Sequence, residues 1–137
     1  MQNIDWEALS RAAWHSRANA FTFKTAVGAA LLDERGVIHS GCNIENSRRW
    51  SAVHAEVNAI GAMHVTGARK IIAILIAARR ESFTPCGDCT DWVIEFGTPE
   101  TFVAFQGAPG AEIKIYTVHN LMPHHNWETK RESAPVQ

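Results

Sequence analysis

The chain has 137 residues, of which 46% are hydrophobic and 20% charged, and its formal net charge at pH 7 is −1. These values predict one domain with a filled core, and a near-neutral chain has no general field that would hold a nucleic-acid polymer. No stretch approaches the ~20 apolar residues of a membrane span and no signal-peptide pattern opens the chain, so we expect a cytoplasmic protein without membrane or nucleic-acid partners.

Four elements are predicted in the first half of the chain: a helix from Asp5 to about Ala20, strands over 26–32 and 37–42, and a helix from about Ala52 to Val65. Asp5 is a favoured N-cap residue for the first helix. The turn over 33–36 joins the two strands as a β-hairpin. The polar stretch 43–51 is expected to be a loop, and Gly67 is expected to end the second helix.

The second half predicts a strand over 71–78, a helix from Pro85 to Gly97, and strands over 101–105 and 112–118. The strand over 71–78 is apolar without alternation, which is typical of a central strand covered by helices on both faces. Thr84 is the predicted N-cap of the helix and Pro85 its first residue. The element order predicts an α/β fold, a three-layer α-β-α sandwich with a mixed five-stranded sheet. We take residues 1–127 as the single domain and 128–137 as a C-terminal tail.

Two short segments, 54–56 and 85–89, carry the candidate chemistry. Cys86 and Cys89 share one face of a first helical turn, where the helix dipole favours thiolates. With His54 they form a three-ligand zinc set, and a set of three leaves the fourth zinc position open for water. A C-x-x-C pair by itself would fit a redox motif or half a zinc knuckle, and three cysteines without an export signal favour metal or redox chemistry over disulfides.

Glu56 lies two residues after His54, at the start of the same predicted helix. A carboxylate beside a catalytic zinc is suited to taking and returning protons. Cys42 is the remaining cysteine, and its strand position predicts a small core residue instead of a fourth ligand. Together the two segments favour a catalytic zinc site.

On these segments the chain resembles the cytidine deaminase family, whose zinc enzymes share the H-x-E and P-C-x-x-C signatures. The stretches 27–31, 41–46 and 121–123 also resemble family segments. The resemblance implies that Asn43 and Glu45 bind sugar hydroxyls, and that the backbone at Ala55 and Thr84 reads the base edge. It further implies a compact homotetramer of nucleoside metabolism and pyrimidine salvage, with active sites built at subunit contacts.

The chain departs from the family pattern at its metal site. Small cytidine deaminases usually have Cys where this chain has His54, and Arg-Gln where Thr90 and Asp91 follow Cys89. Three thiolates leave zinc with a net charge of −1, which a nearby Arg offsets, whereas two thiolates and an imidazole leave it neutral. The two departures therefore fit one another.

Other features bear on the substrate. The run 54–60 resembles deoxycytidylate deaminases, in which case Arg48 and Arg49 would meet a phosphate; a solvated loop is the alternative. Thr25 and Arg49 stand where the family usually has aromatic residues, and Trp127-Glu128 resembles a Trp-Glu of blasticidin S deaminase. His124 and His125 are expected at the surface, as is the basic pair 79–80.

The working hypothesis is hydrolytic deamination at C4 of a cytosine nucleoside, either cytidine, deoxycytidine or a modified nucleoside. Glu56 protonates N3 and then the departing amine, which leaves a uracil ring and ammonia. The alternatives are a deoxycytidylate deaminase, a purine or RNA deaminase with the same ligands, and a non-catalytic zinc-binding module of the same fold.

Overall fold

The computed structural model describes residues 3–48 and 51–129. Its helices and strands are α1 (Trp6–Arg17), β1 (Val27–Asp33), β2 (Ile38–Cys42), β3 (Ile44–Asn46), β4 (Ser51–Val53), α2 (Ala55–His64), β5 (Ile71–Ala78), α3 (Gly87–Phe96), β6 (Phe102–Gln106), β7 (Ile113–Thr117) and α4 (Val118–Leu121), followed by a 3₁₀ turn (Trp127–Thr129). No helix in these ranges is long and apolar enough to cross a bilayer.

The five long strands form one mixed sheet in the order β2-β1-β5-β6-β7. Strand β5 runs parallel to β6, and the other neighbours are antiparallel. Side chains of β1 and β5 alternate between two hydrophobic clusters, one beneath α1 and the other beneath α2 and α3. The predicted central strand and the three-layer sandwich are both confirmed.

The first helix and the hairpin form for the predicted reasons. The Asp5 carboxylate accepts a hydrogen bond from the Ala8 N–H at 2.9 Å and so caps α1. The helix ends at Arg17, three residues earlier than predicted, because the N–H groups of residues 18–20 bond three residues back and form a tight turn. Strands β1 and β2 pair as the predicted hairpin.

A buried carboxylate holds the turn of that hairpin. Asp33 is fully buried and accepts hydrogen bonds from the backbone N–H groups of Arg35 and Val37. His39 Nε2 lies 2.8 Å from one oxygen of the same carboxylate. Burial raises the pKa of Asp33, but the hydrogen bonds from His39, Val37 and Arg35 outweigh it and lower that pKa to about 2.

Three further predictions, for the loop over 43–51 and for the starts of α2 and α3, were wrong. The stretch 43–51 is not a loop throughout, because β3 and β4 pair as a small antiparallel sheet, and α2 therefore begins at Ala55 and not at Ala52. Helix α3 begins at Gly87, with Cys86 as its N-cap in place of Thr84. Cys86 is extended, and its Sγ accepts from the Cys89 N–H at 3.5 Å, the capping bond predicted for Thr84.

Candidate active site

The three predicted metal ligands come together where the N-termini of α2 and α3 meet. Ligand atoms of His54, Cys86 and Cys89 all lie within 4.8 Å of one another. His54 Nδ1 is 3.1 Å from the Cys89 sulfur and 3.4 Å from the Cys86 sulfur. Cys89 is buried, whereas His54 and Cys86 are exposed, so the group is open on one side. We refer to these three residues as the His/Cys/Cys group.

Local structure explains this convergence. His54 is the extended N-cap of α2 and Cys86 the extended N-cap of α3, so both side chains project from helix starts. Strand β2 supports α2 closely at Gly41. A Cβ atom there would lie 2.6 Å from the Ala59 nitrogen and 2.9 Å from the Ala55 carbonyl oxygen. Only glycine lets β2 approach the helix that carries His54 at this distance.

Glu56 lies in the first turn of α2 and is only 2% exposed. Burial raises the pKa of its carboxyl group, while its own backbone N–H, the Cys89 side chain and His54 act in the opposite direction. Burial also raises the pKa of the Cys89 thiol, and the nearby Glu56 and Cys86 add to this. Burial is the largest cause of both shifts.

The donor set fits zinc. One imidazole nitrogen and two sulfurs within 4.8 Å match the nitrogen and sulfur ligands that zinc prefers, and the number of ligands matches a catalytic site. A divalent cation would favour the thiolate and carboxylate forms that burial disfavours in its absence. Cys42 is half-buried and is not part of the group.

A cavity of about 580 Å³ opens beside the His/Cys/Cys group. This volume is within the usual range for small-molecule sites. The predicted site residues in its lining are Asn43, Glu45, His54, Ala55, Glu56, Thr84 and Cys86. The exposed His54 and Cys86 line the cavity, whereas the buried Cys89 does not. The open side of the His/Cys/Cys group therefore faces the space where a ligand would lie.

Asn43 and Glu45 hold one wall of this cavity, the segment that precedes β1. The Asn43 side chain accepts from the Val27 N–H at 2.9 Å and donates to the Thr25 carbonyl oxygen at 2.8 Å. The Glu45 carboxylate accepts from the Thr22 hydroxyl and from the Phe23 N–H. These two bonds lower the pKa of Glu45, and the Lys24 ammonium lowers it further.

Sequence reasoning missed five lining residues: Lys24, Val27, Arg80, Ser82 and Phe83. Arg80 is exposed, as expected, and it also lines the cavity, which was not expected. A usable signal for Arg80 was its place two residues beyond the end of β5, on the connection that leads to Cys86 and Cys89. Ligands in α/β sheets commonly bind where strands end.

Other candidates lie elsewhere. Arg48 is exposed and does not line the cavity; its backbone N–H bonds to the Asn46 side chain. Arg49 lies outside the described residues. His124 is exposed, and His125 packs edge-on against Trp127 with ring centroids 4.9 Å apart. His124 and His125, like Arg48, do not line the cavity.

Comparison with known proteins agrees with the geometry. Residues 5–105 match the family described as the cytidine and deoxycytidylate deaminase zinc-binding region. The chain belongs to this deaminase family. A cytidine deaminase of Sporosarcina psychrophila is 35% identical over 123 residues, which cover 88% of this chain and 90% of that relative. A cytidine deaminase of Mycobacterium tuberculosis is 32% identical over 106 residues, covering 75% of this chain and 80% of the relative.

Solved structures of deaminases share the fold. The cytidine deaminase of Burkholderia pseudomallei superposes with a TM-score of 0.80 at 28% identity, covering 88% of this chain and 98% of the other. That of Mycobacterium tuberculosis gives 0.74 at 28% identity, with 89% and 97% covered. The predicted family, fold and zinc cofactor are therefore confirmed, and the chain is a hydrolytic deaminase.

Proposed function

We propose that this deaminase acts on a cytosine nucleoside, replacing the 4-amino group by oxygen from water and releasing ammonia and the uracil form. The observation that carries the proposal is the buried carboxyl of Glu56 beside an open His/Cys/Cys group at the edge of a 580 Å³ cavity. The relatives named above as cytidine deaminases support the cytosine ring as the reacting group.

In this proposal His54, Cys86 and Cys89 would hold the zinc, and the His/Cys/Cys group lies at the edge of the cavity. When bound, zinc lowers the pKa of a coordinated water toward ~7 and so supplies the nucleophile. His54 keeps the site neutral, because two thiolates balance the two charges of the metal. A neutral site has no need of the Arg that follows the second cysteine in small cytidine deaminases.

Glu56 moves the protons. It takes a proton from the attacking water and gives it to N3 of the ring, then transfers the second proton to the departing amine, so the water is consumed and ammonia leaves. Its burial at 2% exposure supports this role, because burial favours the protonated carboxyl that must donate. A bound cation would act in the opposite direction and favour the carboxylate form that first accepts a proton.

The remaining contacts to the substrate are assigned from the resemblance to the cytidine deaminase family. Asn43 and Glu45 bind the sugar hydroxyls, and the backbone at Ala55 and Thr84 reads the base edge. All four line the cavity, which supports this assignment. A carboxylate offers about four acceptor positions, so Glu45 retains acceptor capacity beyond its bonds to Thr22 and Phe23.

We also propose a homotetramer that serves cytoplasmic pyrimidine salvage. Four apolar side chains on and near β3 and β4 are about half exposed, at 47–59%: Phe21, Phe23, Ile44 and Val53. Phe21 and Ile44 form a β-bridge, Ile44 pairs with Val53, and the Phe21 and Phe23 ring centroids are 5.9 Å apart, so the four lie close together. Apolar surface of this kind is typical of subunit contacts, and here it adjoins the cavity wall at Glu45.

The test is ammonia release by the zinc-loaded chain from cytosine, cytidine, deoxycytidine, deoxycytidylate, blasticidin S and adenosine, with the product identified by mass. We expect a cytosine nucleoside to yield the uracil form and adenosine to yield nothing. Turnover of adenosine alone would indicate a purine-type deaminase. Stable zinc binding without ammonia from any cytosine compound would indicate a non-catalytic module and contradict the proposal.

A further inference from the structure

Thr22 does not line the cavity, but its side chain bonds to a carboxylate that does. The Thr22 hydroxyl donates to one carboxylate oxygen of Glu45, and the Phe23 N–H donates to the other at 2.9 Å. The Lys24 N–H in turn donates to the Thr22 oxygen at 3.1 Å. A hydroxyl has a single hydrogen to donate, and an ionised carboxylate only accepts. The one hydrogen of Thr22 is therefore committed to Glu45.

The backbone fixes Thr22 relative to Glu45. The Phe21 N–H donates to the Asn43 carbonyl oxygen at 3.1 Å, and the Glu45 N–H donates to the Phe21 carbonyl oxygen at 2.8 Å. These bonds form the parallel bridge between Phe21 and Ile44. Thr22 thus follows a residue whose N–H and carbonyl are both bonded to the segment that carries Glu45. Its hydroxyl is held in place before any ligand binds.

The Glu45 carboxylate depends on these hydrogen bonds for its orientation. Glu45 is half-buried, and the ion pairs within residues 3–48 and 51–129 do not include it. A long side chain that is free to rotate loses conformational entropy when it binds a ligand, and fixing it beforehand removes that cost. Among the groups that act on the pKa of Glu45, the Thr22 hydroxyl lowers it most. Each carboxylate oxygen keeps an acceptor position beyond its bond to Thr22 or Phe23.

We propose that Thr22 is a positioning residue for substrate binding: its hydroxyl holds the Glu45 carboxylate in the orientation that accepts a hydrogen bond from a sugar hydroxyl. The proposal rests on the proposed function and deepens it, because it adds a residue that touches no substrate atom. Thr22 is absent from the cavity lining, so its effect reaches the ligand through Glu45. Removal of the Thr22 hydroxyl should therefore weaken only those substrates that have a sugar hydroxyl to donate to Glu45.

The test compares kcat/KM for ammonia release from cytidine and from 2′,3′-dideoxycytidine, using the zinc-loaded full chain. Wild type is expected to prefer cytidine. Thr22→Val keeps the shape of the side chain and removes its hydroxyl. This variant should lower kcat/KM for cytidine by about 5- to 10-fold, the value of one hydrogen bond, mainly through KM. Its kcat/KM for dideoxycytidine should stay at the wild-type value, and Thr22→Ser, which retains the hydroxyl, should restore the preference for cytidine.

Thr66→Val is the matched control, because it removes a hydroxyl that bonds to the Met63 carbonyl oxygen and to Arg35, outside the cavity lining. It should leave the preference for cytidine unchanged. A double variant locates the effect of Thr22. In a Glu45→Ala chain, Thr22→Val should cause no further loss of kcat/KM for cytidine, because the carboxylate through which it acts is gone.

Equal losses on both substrates in Thr22→Val would overturn the proposal, since a purely structural defect does not depend on the sugar hydroxyls. An unchanged kcat/KM for cytidine in that variant, or additive losses in the double variant, would overturn it as well. A wild-type enzyme without a preference for cytidine would remove the sugar contact of Glu45 on which the proposal depends. Absence of ammonia from both substrates would instead overturn the proposed function, and this proposal with it.

Discussion

Replacement of Glu56 by glutamine isolates the proton-transfer step. The side chain is 2% exposed in the first turn of α2, and glutamine has nearly the same shape, so packing is preserved. A positioned acid or base contributes roughly 10²–10⁴ in rate, and Glu56 is proposed to carry two protons in each turnover. We therefore expect kcat to fall by about 10³–10⁴, equivalent to about 4–5.5 kcal/mol of transition-state stabilisation.

Zinc content and stability distinguish this effect from unfolding. Because Glu56 is not one of the metal ligands, the glutamine variant should retain one zinc per chain by elemental analysis. Burial raises the pKa of Glu56. In the metal-free chain, the free energy of unfolding therefore falls as the pH rises from the ordinary pKa of a glutamate through the folded-state pKa of Glu56. Metal-free Glu56→Gln should then be at least as stable as wild type at pH 7 in urea unfolding.

Glu45→Gln is the control, since it changes the second carboxylate of the same cavity. Glu45 bonds to Thr22 and Phe23 and is assigned to the sugar, so its replacement should raise KM more than it lowers kcat. Both variants are assayed by ammonia release from the best cytosine substrate. If Glu56→Gln keeps kcat within tenfold of wild type, or loses its zinc, the assignment of Glu56 as proton carrier is refuted.

Three further predictions concern the metal, the support of α2 and the hairpin. His54→Ala removes one of three ligands and should weaken zinc binding by about 100-fold or more in competition with a chelator, whereas full retention would exclude His54 as a ligand. Gly41→Ala forces β2 away from α2 and should destabilise the fold by about 1–3 kcal/mol in urea unfolding. Ammonia release should fall in parallel, and unchanged stability and activity would contradict the close contact between β2 and α2 at Gly41. The Asp33 carboxylate, with a pKa lowered from 3.8 to about 2, should contribute about 2 kcal/mol of stability above pH 4 that disappears as the pH falls toward 2. Asp33→Asn should lack this dependence in urea unfolding from pH 2 to 5, and an unchanged pH profile would refute it.

The sequence predicts the centre of this molecule better than its connections. Residues 71–78 are apolar without alternation, and a strand buried on both faces is the simplest structure for such a run. The spacing of Cys86 and Cys89, with His54 opening another helix, is also a local signal. For these reasons the sheet, its two helical layers and the metal group could be predicted from short stretches.

Two of the errors occurred where structure depends on another segment of the chain. Residues 51–53 form a strand only because 44–46 lie opposite them, so the helix start at Ala55 is not encoded in its own neighbourhood. Lys24 and Arg80 are 56 positions apart, and they meet in one cavity because β1 pairs with β5. Without that pairing, Arg80 has the pattern of an ordinary surface residue.

A zinc titration of the metal-free chain tests the central claim most directly. Ammonia release from a cytosine nucleoside or its 5′-monophosphate is followed as zinc is added. The account predicts that activity rises in proportion to zinc, reaches a plateau at one equivalent per chain, and is absent from a Cys89→Ser variant at the same zinc concentration. Full turnover by the metal-free chain, or one tightly bound zinc without any ammonia, would contradict it.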